Sequence, residues 1–142
     1  MRMMALDVGV KRIGIALSDP LMITSQGLET YYRKTLAEDL SHYQRIIKDY
    51  QVNRLIVGLP VDLYGNPGKK ADEIKEYIDR IKPDLGIPVE FYDERYTTKI
   101  AENIMLSANE KRSKRRQSID MLAAQIILRD YMEHMKHEQS DH

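Results

Sequence analysis

Three carboxylates in this 142-residue chain, Asp7, Glu94 and Asp120, occupy positions from which they could act together. Asp7 ends the apolar run Met4-Ala-Leu, Glu94 follows the short apolar stretch Val89–Tyr92, and Asp120 opens an amphipathic segment. If the first two runs are neighbouring parallel strands, their C-terminal ends lie on one edge of a sheet, and acids distant in sequence meet there. Carboxylates crowded in this way repel one another, and hard divalent cations such as Mg²⁺ or Mn²⁺ are what such oxygen ligands hold. Two such ions about 3.5–4 Å apart clamp the attacking and leaving oxygens of a phosphodiester, which is nuclease chemistry.

Each acid also has a plainer use. Asp7 lies two residues before Gly9, which is ordinary turn chemistry. Glu94 can pair with Arg95, and Asp120 suits a first helical turn, where negative charge gains about 0.3–1 kcal/mol. Asp93 competes with Glu94, because a one-residue change of register at a strand end reverses the face that a side chain occupies. Asp62, in the loop after the central strand, is a weaker fourth candidate. His134 and His137 sit three apart in a polar tail and receive no role.

Lys plus Arg equals Asp plus Glu at 22 each, so attraction to nucleic acid has to come from local patterning. Lys11 and Arg12 occupy the turn after Asp7. Lys111, Arg112, Lys114, Arg115 and Arg116 form a basic loop immediately before the segment that carries Asp120, so phosphate drawn to them is delivered toward the acids.

The elements that must position these residues are legible from periodicity. Met4–Asp19 reads as two apolar strands joined by the basic turn, and Gly27–Tyr32 as a third strand. Leu36, Leu40, Tyr43, Ile46, Ile47 and Tyr50 predict an amphipathic helix over Thr35–Tyr50, with its charges on the solvent face. Val52–Leu59 is a nearly continuous apolar run, as in a strand covered on both faces. Pro60–Gly68 is a loop, and Ala71, Ile74, Tyr77, Ile78 and Ile81 space a second helix that stops before Pro83. After the strand Val89–Tyr92, Thr97 or Thr98 caps a third helix containing Ile100, Ala101, Ile104 and Met105. Ser118 caps a fourth, with Ile119, Leu122, Ala123, Ile126, Ile127 and Tyr131 as its buried stripe. One domain over 1–133 and a frayed polar tail over 134–142 are the expected organisation.

Absence of cysteine excludes disulfides and thiolate metal sites. There is no basic and apolar leader, and no apolar run approaches the roughly 20 residues of a membrane helix, so the expectation is a cytoplasmic protein without a membrane segment.

Four motifs carry a family resemblance: Asp7-Val-Gly-Val-Lys-Arg-Ile-Gly-Ile-Ala-Leu-Ser-Asp19, Gly58-Leu-Pro60, Asp93-Glu-Arg-Tyr-Thr-Thr98, and Asp120-Met-Leu-Ala-Ala-Gln-Ile-Ile-Leu128. In order and spacing the chain resembles the YqgF (RuvX) family, Holliday junction resolvase-like proteins and pre-16S rRNA nucleases, over nearly its whole length. The resemblance implies an α/β ribonuclease H-like fold, with a mixed five-stranded sheet whose second strand is antiparallel, flanked by helices. It also implies a metal-dependent acidic site at Asp7, Glu94 and Asp120, with Asp93 as a further contributor. The chain departs from the family in the loop, where Asp62 stands in place of the usual Asn and Tyr64 in place of Asp.

The function implied is a Mg²⁺- or Mn²⁺-dependent nuclease, with two ions when substrate is bound, that matures the 5′ end of 16S rRNA precursor as a monomer or weak homodimer. A junction resolvase acting on branched DNA and a noncatalytic nucleic-acid-binding module are the alternatives. An actin-like phosphotransferase lobe also begins with a strand, Asp-x-Gly and a hairpin, but 142 residues supply only one of the two lobes it needs.

Overall fold

The computed structural model describes residues 1–61, 68–93 and 112–140, with 112–118 and 137–140 described by backbone alone. Its elements run β1 (Arg2–Val8), β2 (Arg12–Ser18), β3 (Ser25–Tyr32), α1 (Leu36–Asp49), β4 (Val52–Leu59), α2 (Lys69–Ile81), β5 (Val89–Asp93) and α3 (Arg112–Ser140). The five strands form one sheet in the order β3-β2-β1-β4-β5. β2 is antiparallel to both β1 and β3, while β1, β4 and β5 run parallel. This is the mixed sheet that the resemblance implies, with β1 at its centre.

Alternation along β1 divides the core. Met4, Leu6 and Val8 enter one cluster with Ile13, Ile15 and Leu17 of β2, Leu55 and Val57 of β4, Tyr43 and Ile46 of α1, and Ile74, Tyr77, Ile78 and Ile81 of α2. Met3 and Ala5 enter the other, with Ala16, Ile56 and the α3 residues Ala124, Ile127, Leu128, Tyr131 and Met132. The sheet is therefore covered on both faces, which is why β1 and β4 read as continuous apolar runs. Asp7 is next in the series after Met3 and Ala5, so it belongs to the α3 face.

The first helix begins as expected: the Thr35 hydroxyl accepts from the Glu38 amide at 3.1 Å and caps α1. One charge in it is not solvated. Asp39 is 1% exposed and accepts hydrogen bonds from the Tyr31 hydroxyl (2.8 Å), the Tyr77 hydroxyl (2.8 Å) and the Lys34 amide (2.9 Å). These partners come from β3, α2 and the β3–α1 link, so one carboxylate ties three elements together. Burial, then the bond to Asp39, pushes the Tyr31 hydroxyl pKa up to about 12.

The last helix differs from expectation at both ends. It is already formed at Arg112, so Ser118 is an interior residue and not its cap, and it continues to Ser140 through the expected frayed tail. No Gly or Pro interrupts residues 112–140, and Lys, Arg, Gln and Glu are good helix formers. The apolar periodicity marks only the part of the helix that touches the sheet. The buried stripe is also rotated: Ala124, Leu128 and Met132 are deep, whereas Ile119, Leu122 and Ile126 are half-buried. The helix expected around Ile100–Met105 lies outside the described residues.

Candidate active site

The β1–β2 turn is built so that Asp7 stands at a fixed place beside it. The Gly9 amide donates to the Arg12 carbonyl at 2.8 Å, and a Cβ on Gly9 would stand 2.7 Å from that same oxygen, so only glycine closes the turn this way. From the far side, the Arg33 guanidinium donates to the Gly9 carbonyl at 2.8 Å, and the Arg33 amide donates to the Lys11 carbonyl at 2.9 Å. Arg33 lies 4.2 Å over the Tyr77 ring, and Tyr77 is bound to Asp39, so the turn is braced from the buried tyrosine network.

Asp7 pairs in register with Gly14 of β2. Gly14 is where α3 meets the sheet: a Cβ there would lie 1.9 Å from the Asp120 carbonyl oxygen and 3.2 Å from its Cα. The backbone of Asp120 thus rests directly on the residue opposite Asp7, and carboxylates 113 positions apart in the chain come to one face of the sheet. Further contacts hold α3 in place. Gly27 admits the Met121 Cβ, the Ser25 hydroxyl donates to the Gln125 carbonyl at 2.9 Å, and Tyr131 bonds to both Arg54 and Glu90.

Asp120 does not lie in a first helical turn. It is the ninth residue of α3, where the favourable end effect has died away, so that plainer use fails. Its carboxylate is instead held by Arg12, whose Nε donates to Oδ2 at 2.7 Å, with the two side chains 30% and 18% exposed. A basic residue of the turn and an acid of the expected site therefore form one ion pair.

On the other side of Asp7, the matched registers Leu6↔Val57 and Val57↔Phe91 put the ends of β1, β4 and β5 on one edge. Tyr92 packs with the α3-side cluster, while Val89 and Phe91 pack with the opposite one. Alternation then sends Asp93 to the face away from Asp7. Glu94, Lys111 and Asp62 lie outside the described residues. Of the remaining basic residues, Lys11 is exposed at the turn, and Arg112, Lys114, Arg115 and Arg116 occupy the first two turns of α3, not a loop. Positions 112 and 116 precede position 120 at four-residue intervals along α3.

Among the described residues no three His, Cys, Asp or Glu side chains are grouped to hold a metal ion. Asp7 and Asp120 do supply hard oxygen donors on one face, and one or two carboxylates completed by substrate phosphate is how Mg²⁺ is commonly bound. A cleft of about 250 Å³ opens behind the turn, lined by Val8, Gly9, Val10, Arg33, Lys70, Glu73 and Ile74. It includes neither carboxylate. Gly14, Arg33 and Asp39 had no assigned role in the sequence; only a glycine amid Ile13 and Ile15 in a strand pattern signals close backbone approach.

Comparison with known proteins follows the geometry. The family model described as "RuvX: Holliday junction resolvase" matches residues 1–134. A relative from Moorella thermoacetica named "Putative pre-16S rRNA nuclease" is 44% identical over 135 residues, covering 95% of this chain and 96% of its own. A relative of the same name from Natranaerobius thermophilus is 43% identical, covering 94% of each. Among solved structures, Thermus thermophilus RuvC in complex with Holliday junction substrate superposes with a TM-score of 0.58 at 13% identity, covering 96% of both chains. The fowlpox virus resolvase in complex with Holliday junction DNA gives 0.57 at 14% identity, covering 95% of this chain and 99% of its own. At such identities these two likenesses establish the fold, which is the ribonuclease H-like one.

Proposed function

The chain belongs to the RuvX family, and from that premise we propose that it is a metal-dependent nuclease that processes the 5′ end of pre-16S rRNA. The observation that carries the proposal is the seating of the Asp120 backbone on Gly14, directly across β1–β2 from Asp7. The relatives' shared name supports the substrate. Asp7 and Asp120 would hold Mg²⁺ or Mn²⁺, and Glu94, the third acid that the family resemblance carries over, would complete the set. With substrate bound, two ions would supply charge neutralisation at the attacking and leaving oxygens. The chain's own residues do the rest. The turn fixes Asp7, Gly14 fixes the height of Asp120, and Lys11, Arg12, Lys111 and the basic start of α3 (Arg112, Lys114, Arg115 and Arg116) draw the phosphate backbone toward them. The protein acts in the cytoplasm as a monomer or weak homodimer; among the described residues no helix is long and apolar enough to cross a membrane.

The family description favours a second reading, resolution of branched DNA. A resolvase needs a symmetric dimer to place two sites on two strands. The test is cleavage with Mg²⁺ or Mn²⁺ of precursor rRNA, duplex RNA, single strands and four-way DNA junctions side by side. Cleavage confined to the precursor, by monomeric protein, is the expected result. Paired incisions in the junction by a dimer would replace this reading with the second, and no cleavage of any substrate would leave a noncatalytic binding module.

A further inference from the structure

Arg12 occupies the place in this site where a positive charge is needed. Its backbone carbonyl is fixed by the Gly9 amide, its neighbour Lys11 is fixed through Arg33, and its Nε reaches Asp120 Oδ2 at 2.7 Å. The acceptor is equally fixed, because the Asp120 backbone cannot move toward the sheet past Gly14. The pair is only partly buried, at 30% and 18% exposure, so a solvated ion can reach the carboxylate. A cation that takes Asp120 as a ligand competes with the guanidinium for the same negative charge, and like charges at one carboxylate repel. The displaced side chain is rooted beside Lys11 at an exposed turn, and a guanidinium matches phosphate geometry.

We infer that Arg12 is an exchange residue: it neutralises Asp120 while the site is empty, and a divalent ion releases it to bind a phosphate of the nucleic acid. Cation and substrate then bind with positive coupling, because the ion frees a substrate contact and the phosphate removes the ion's competitor. The inference rests on the assignment of Asp120 to the metal site.

The test uses the full chain and ¹H–¹⁵N spectra of the arginine side chains. In EDTA the Arg12 Nε–H, identified by its loss in Arg12→Gln, is expected to be protected from solvent exchange. Saturating Mg²⁺ should remove that protection, and Asp120→Ala should remove it without Mg²⁺. In a second arm, anisotropy of a fluorescein-labelled phosphorothioate DNA duplex of about 20 base pairs is followed across KCl concentrations with and without Mg²⁺. Relative to Arg12→Gln, Mg²⁺ should steepen the wild-type slope of log affinity on log salt by about 0.9, one added phosphate contact. If Mg²⁺ shifts the Asp7 and Gly14 amides yet leaves Arg12 Nε–H protected, the exchange is wrong and the metal site stands. If Mg²⁺ shifts none of these, both are wrong. Release without a steeper slope than Arg12→Gln overturns the capture of phosphate.

Discussion

Replacing Gly14 with alanine tests how the site is held. The added methyl would lie 1.9 Å from the Asp120 carbonyl oxygen, against about 3.4 Å for ordinary contact. The obstacle is backbone of a helix also fastened at Gly27, Ser25 and Tyr131, so no side chain can swing aside. Near Asp120 the helix must lift by roughly 1.5 Å, and overpacking of this kind costs about 1–3 kcal/mol. Displacements of about 1 Å at a reacting centre can cost about 10²-fold in rate. Gly27→Ala is the matched control, since its methyl would meet the Met121 Cβ at 3.1 Å, a gap closed by a few tenths of an ångström. Urea denaturation gives the stability of each, and single-turnover cleavage of precursor rRNA with Mn²⁺ gives the rate. Gly14→Ala should lose about 1–3 kcal/mol and about 10²-fold in rate, and Gly27→Ala little of either. Equal behaviour of the two variants would refute the claim that Gly14 sets the position of Asp120.

Asp39→Ala leaves the hydroxyls of Tyr31 and Tyr77 and the Lys34 amide without their acceptor, at about 1–3 kcal/mol for each group left unsatisfied; equilibrium unfolding should show a loss of about 3–5 kcal/mol. The Tyr31 hydroxyl titrates higher in the folded protein, at about 12 against an ordinary 10.0. The stability it contributes is therefore complete below about pH 10 and lost as pH rises toward 12, and Tyr31→Phe should flatten the fall in urea midpoint across that window. Replacing Lys114, Arg115 and Arg116 together with Ser should reduce the magnitude of the salt slope for a duplex by about 2–3, at about 0.9 per phosphate contact. Folding stability should change little in that variant, because positive charge in the first turns of α3 is itself unfavourable.

Most of the fold was legible because its signals are local. The apolar runs of β1, β2 and β4 and the period of 3.6 in α1 and α2 each express one element's own burial. What was missed depends on partners. Asp39 reads as one more charge on an amphipathic helix until Tyr31 and Tyr77 are brought over it from two other elements. The basic run before Asp120 reads as a loop because it has no apolar stripe, but a helix anchored further along by Ala124, Ile127, Leu128 and Tyr131 extends backward through good helix formers. Asp7 and Asp120 were legible as candidates by their places at a strand end and on a packed helix. Their convergence through Gly14, and the capture of Asp120 by Arg12, required the register of β1 on β2 and the height of α3 above it. The face of Asp93 likewise depended on the register of β5.

The most direct test of the central claim is cleavage of precursor rRNA with Mn²⁺ by Asp7→Asn, Asp120→Asn and Glu94→Gln beside the unmodified chain. Each change preserves shape and removes the charge of a proposed ligand. All three variants should lose cleavage while keeping the fold by circular dichroism, and Asp7→Asn can gain stability because like-charge crowding is relieved. Full activity in Asp7→Asn or Asp120→Asn would contradict the account.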